Sequence, residues 1–170
     1  SIYPYLFGNK PSIGDFGMIA PLYGHLGRDP VPLSLMQINA PRLFRWVERM
    51  NRSEPDIGEF ADKSTNYLAN DEIPQTLIDV LKHFAIDFIP ESVAAYDSVS
   101  QWLEVNRDLP LGTVAERDVG SCTFEIDGVE ISAVAQPFRF YLLQRLHKEF
   151  DSLSEADRED VRQLLKNCHM

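Results

Sequence analysis

The stretch Pro11-Ser12-Ile13-Gly14-Asp15-Phe16 carries the marks of a helix start. The Ser12 hydroxyl can accept from backbone N–H groups that a first helical turn leaves unpaired. Asp15, three residues on, can reach back to the Ser12 N–H, which makes a capping box with Asp in place of the commoner Glu. Pro11 and Phe16 hold the two hydrophobic-staple positions around it. The helix so begun is expected to run through Met18, Ile19, Leu22, Tyr23 and Leu26, with a kink near Pro21, whose ring blocks a ladder bond. Gly27-Arg28-Asp29-Pro30 reads as a stop and turn.

Pro41 opens the next helix, because its missing N–H is no loss at a first helical position. Leu43, Phe44, Trp46, Val47 and Met50 share one face of it, and Arg42, Arg45, Glu48 and Arg49 fall on the other. Residues 52–71 are polar and read as a long loop. A helical period then covers about 73–106, from a capped start at Asp71-Glu72-Ile73-Pro74 through Leu77, Leu81, Phe84 and Phe88 to Tyr96, Val99 and Leu103. Pro90 leaves two readings open, one bent helix or two. Residues 107–118 read as a loop.

At 121–134 the period changes to two. Cys122, Phe124 and Ile126 alternate with polar residues, and so do Val129 and Ile131, on either side of Asp127-Gly128. Asp-Gly between alternating runs signals a hairpin with a two-residue turn. That turn pairs Ile126 with Val129, Phe124 with Ile131 and Cys122 with Ala133, all on one face. Two helices close the chain, about 136–150 with Phe138, Leu142, Leu146 and Phe150 as its stripe, and about 154–168. The latter opens on a second box, Ser154-Glu155-Ala156-Asp157, and places Val161, Leu164, Leu165 and Cys168 on its buried side. The expected fold is mainly α, a helical bundle with one small β-hairpin.

The 170 residues are 44% hydrophobic and 25% charged, the mix of a globular domain rather than a disordered or collagen-like chain. No run approaches the roughly 18 apolar residues of a membrane span. Sixteen Lys+Arg against 26 Asp+Glu leave a net charge of −10, which argues against nucleic acid as a partner. Two cysteines, Cys122 and Cys168, are too few for a disulfide framework and read as a reduced, cytoplasmic chain. The chain begins Ser1-Ile2-Tyr3-Pro4, without Met and without the regions of a signal peptide, so it is expected to be processed or part of something longer.

The segment Leu6-Phe7-Gly8-Asn9-Lys10-Pro11-Ser12-Ile13-Gly14-Asp15-Phe16 resembles the signature of the C-terminal helical domain of cytosolic glutathione transferases. Ser12 and Asp15 match the capping pair of that domain's central helix, and Gly14 departs from the Ala often found there. Leu22-Tyr23-Gly24-His25-Leu26 fits the helix end, and Ala40-Pro41-Arg42 with Trp46 and Met50 fits the next helix. The likeness covers roughly residues 5–51, so that residues 1–51 are taken as part of that domain and 52–170 as a C-terminal extension packed on it. It implies a supporting role. Glutathione, the co-substrate, and the catalytic Tyr, Ser or Cys would belong to an N-terminal thioredoxin-like domain that this chain lacks. This part would shape the pocket for a small electrophilic substrate and contribute to a homodimer surface. The alternative is a non-catalytic protein-interaction module of the same fold.

On this reading no catalytic residue, cofactor or metal site belongs to the chain. Ser12 and Asp15 are structural, a helix cap. Phe16, Tyr23, His25 and Arg28 are the candidates for the substrate pocket, with His25 otherwise a surface residue near a helix end. His83, His147 and His169 show no metal-ligand spacing. Arg42, Arg45, Arg49 and Arg52 form a basic stripe, read as a solvated face or a surface for an acidic partner.

Overall fold

The computed structural model describes residues 2–52, 59–60, 64–114 and 116–170. These are mainly helical, with one two-stranded antiparallel sheet, and fall into two compact units, Ser1–Leu77 and Ile78–Met170. The first holds α1 (Ile13–Pro21), a π-helical turn (Leu22–Leu26), α2 (Pro30–Asn39), α3 (Pro41–Met50) and a 3₁₀ turn (Ala69–Asp71). Helix α4 (Gln75–Asp87) bridges the boundary. The second unit continues with α5 (Ile89–Val105), β1 (Ser121–Ile126), β2 (Val129–Val134), α6 (Pro137–Ser152) and α7 (Glu155–Asn167).

In the first unit, α1 starts at the predicted box: Asp15 N–H donates to Ser12 Oγ and Ser12 N–H to Asp15 Oδ2. Phe16 is mostly exposed, so the expected staple does not bury it. Pro21 ends α1, and the chain widens into a π turn instead of kinking and continuing as α-helix. A proline has no N–H for the i→i−4 ladder, and a wider turn is one way to go on winding past it. Gly27 N–H closes that turn on Leu22 O at 2.8 Å. A Cβ on Gly27 would lie 2.9 Å from the same backbone oxygen. Gly27→Ala is therefore expected to destabilise by about 1–3 kcal/mol, the usual range for overpacking against a rigid neighbour, read from urea midpoints.

Helix α2 is a correction. Asp29-Pro30, read as a turn, is an N-cap followed by proline at the first helical position, with the Asp29 carboxylate accepting from Val31 N–H at 3.3 Å. Helix α3 buries Val47 as expected, but Arg49 is not on its solvent face: only 6% of it is exposed. Its guanidinium pairs with Glu59 at 2.9 Å, donates to Pro4 O at 3.1 Å and covers the Phe60 ring at 4.8 Å. Those partners permit burial of a charge that helical periodicity assigns outward. Arg45 also pairs with Glu59, at 3.1 Å, so the stripe of arginines is partly used within the chain. Of the predicted long loop, residues 53–58 and 61–63 lie outside the described residues. The described remainder runs beside the N-terminal segment, with Asn9 N–H donating to Asn66 O and Leu68 N–H to Phe7 O.

In the second unit the period over 73–106 resolves into two helices. The break is at Phe88, and Pro90 lies in the first turn of α5. Helix α4 starts at Gln75, because Asp71 sits in the preceding 3₁₀ turn with φ of 53°. The hairpin has the predicted register, Ile126 to Val129, Phe124 to Ile131 and Cys122 to Ala133. Asp127 and Gly128 both have positive φ, 51° and 77°, as a type I′ turn requires. Strand β1 packs on α5, which buries Ala95, Val99 and Cys122, whereas Val129 and Ile131 on β2 stay exposed.

The stripe expected to bury α6 is another correction: Phe138 and Leu146 are 65% and 67% exposed. A different face meets α5, through Phe140 stacked on Tyr96 at 5.3 Å and Arg139 paired with Glu91 at 2.9 Å. Helix α7 keeps half of its predicted box: Asp157 N–H donates to Ser154 Oγ, and the Ser154 hydroxyl donates back to the carboxylate. Cys168 is fully buried as expected. Hydrogen bonding to Arg162, then the charge of Arg158, holds the Glu155 carboxyl below its ordinary 4.5. Its stabilising contribution is therefore present above that unfolded value and lost as pH falls through the lower folded one. The gap in melting temperature between wild type and Glu155→Gln, seen at neutral pH, is expected to close in acid below that window. No helix of the described residues is long and apolar enough to cross a membrane.

Candidate functional site

The Asp15 side chain has no exposed surface. Its Oδ2 accepts from Ser12 N–H at 2.9 Å and the Ser12 hydroxyl at 2.7 Å. Its Oδ1 accepts from Leu6 N–H at 3.1 Å and from Trp46 Nε1–H at 3.2 Å. A carboxylate offers about four acceptor positions, and here four donors fill them. One side chain thus joins the start of α1, the N-terminal segment and α3. Through these bonds the carboxylate fixes α1 against α3.

Beside these helices a cavity of about 320 Å³ opens among the π turn, α2 and α3. Met36 and Val47, both buried, form its base with Leu33 and Phe44, and Arg28, Gln37 and Glu48 supply polar groups. Tyr23 comes from the π turn, and the Arg28 guanidinium lies 5.0 Å from its ring centroid. The lining is mixed, with aliphatic side chains, two aromatic rings (Tyr23 and Phe44), a cation and a carboxylate. Tyr23, Arg28, Gln37 and Glu48 are the side chains in its lining that can hydrogen-bond a ligand.

Of the four pocket candidates, the structure brings Tyr23 and Arg28 together at this cavity and leaves Phe16 and His25 away from it. His25 lies two residues from Tyr23, which on a helical turn points to roughly the opposite side. Leu33 and Met36 come from α2, and their signal was the Asp29-Pro30 helix start. Cys122 and Cys168 are buried free thiols. Among the described residues no cluster of three or more His, Cys, Asp or Glu could hold a metal ion. Compared with protein-family models, with curated proteins and with solved structures, the chain matches none of them.

Proposed function

We propose that this chain is the C-terminal portion of a glutathione transferase-like protein and supplies the wall of its electrophilic-substrate pocket. Glutathione binding and catalysis reside, on this proposal, in a thioredoxin-like domain outside these residues. The observation that carries the reading is the buried Asp15 carboxylate, which links the Ser12 cap to Trp46, two elements of the motif order that the resemblance rests on. The cavity at Tyr23 and Arg28 supports it by offering a lining of mixed polarity with two aromatic rings, of a size suited to a small electrophile.

Calorimetry tests the reading with 1,3-dinitrobenzene, an unreactive nitroaromatic. Saturable binding is expected, weakened about tenfold by Tyr23→Ala through loss of ring contact and unchanged by His25→Ala. Equal loss in both variants, or no binding, counts against the pocket. The second reading, an association module of the same fold, has one observation in its favour: Phe138, Tyr141, Leu142 and Leu146 form an exposed apolar stripe on α6. A dimer in sedimentation that Leu146→Lys dissociates would favour it.

A further inference from the structure

The second unit holds a cavity of its own, about 360 Å³, that the reading above does not use. Three side chains with restricted freedom form its inner wall: Val99, buried on α5; Trp102, half-buried on the same helix; and Phe140 of α6, held by its stack on Tyr96. Its volume is within the range of about 300–1,000 Å³ typical of small-molecule sites. The outer wall is the loop after α5, where Leu109, Leu111 and Val114 line the cavity. Loops are ordinarily polar, yet Leu111 is fully exposed and Val114 nearly so. Within the loop Thr113 donates both its N–H, at 3.1 Å, and its hydroxyl, at 2.7 Å, to Pro110 O, closing a local turn. Apolar side chains are thus presented to water at the rim of an apolar cavity, which is the arrangement an apolar occupant would cover.

The charges around the cavity select the occupant. Among the described residues Glu116 is the one charged residue that lines it, and no Lys, Arg or His does. A carboxylate, sulfonate or phosphate ligand would meet that acid in a chain of net charge −10, with no cation to pair with. Trp102 and Phe140 put two aromatic side chains in the lining, which suits a flat molecule. We infer that the cavity between α5, residues 109–114 and α6 is a binding site for a small, uncharged, flat apolar molecule.

The test uses N-phenyl-1-naphthylamine, a neutral flat probe whose emission rises in apolar surroundings, and its anionic sulfonated analogue. The neutral probe is expected to saturate at one per chain, and the sulfonate to bind about tenfold more weakly or worse. Two blocking variants place an indole at exposed lining positions, Gln144→Trp from α6 and Thr113→Trp from the loop. Whichever of them keeps the wild-type circular dichroism melt is expected to raise the probe's Kd about tenfold or more. Gln144→Ala, which leaves the cavity open, should retain binding. The inference is overturned if the probe does not saturate, if both folded blockers bind it as wild type does, or if the sulfonate binds more tightly. It is also overturned if the loop serves instead to pair two copies of the chain, seen as self-association lost in Leu111→Ser without saturable probe binding.

Discussion

Asp15→Ala is expected to lower folding stability by about 3–5 kcal/mol, several times the ~1 kcal/mol of an ordinary helix cap. Without the carboxylate, three donors lose their acceptor together: Leu6 N–H, Ser12 N–H and Trp46 Nε1–H. Each buried donor left unsatisfied costs about 1–3 kcal/mol, toward the lower end where water can reach it. The Ser12 hydroxyl can rotate to another acceptor and adds less. Against a typical total of about 5–15 kcal/mol this is a large share, so poor soluble yield is expected as well. Urea denaturation gives the value. A double-mutant cycle with Trp46→Phe separates the cross-link from the cap: a coupling of about 0.5–3 kcal/mol is expected for the hydrogen bond between α1 and α3. A cap acting alone would give no coupling and a loss equal to that of Ser12→Ala.

The second large effect is at the buried arginine. Glu59→Ala is expected to cost about 2–4 kcal/mol, because it removes a carboxylate that pairs with the buried Arg49 and with Arg45. The figure is set below the full loss for a completely enclosed pair, since the Glu59 side chain is 26% exposed and water screens it. Replacing both partners by apolar residues, Arg49→Met with Glu59→Leu, is expected to cost much less than Glu59→Ala alone. Desolvating two charges offsets much of what their attraction contributes, so an apolar pair of similar volume loses little. Thermal melts of the two variants at one ionic strength decide it. If the double variant is the less stable, the pair contributes net stability.

The features legible in the sequence were those fixed by local chemistry. The Ser12–Asp15 spacing specified a reciprocal cap, and Asp127-Gly128 specified a turn whose geometry sets the register of the whole hairpin. What the sequence did not show depends on partners far along the chain. Trp46 is 31 residues from Asp15, so nothing local marked that carboxylate as a link between helices. Arg49 fell on the polar side of its helix by period, and Pro4, Glu59 and Phe60, all outside that helix, help make its burial tolerable. For α6 the period found an apolar stripe correctly, but the Tyr96–Phe140 stack and the Glu91–Arg139 pair turned a different face toward α5. Of the four pocket candidates, Tyr23 and Arg28 line the cavity, and Phe16 and His25 do not. A run of nearby aromatic and basic residues says nothing of which side of a π turn each one takes. The missed wall came from α2, whose Asp-Pro start has the same letters as a turn.

The central claim is that these residues receive the electrophilic substrate and not glutathione. Backbone amide shift mapping by ¹⁵N NMR, with 1,3-dinitrobenzene and with glutathione in parallel, tests it most directly. The account predicts shifts for dinitrobenzene at the amides of Tyr23, Arg28, Met36 and Phe44, and none for glutathione at any residue. Saturable glutathione shifts, or dinitrobenzene shifts that avoid this cavity, would contradict it.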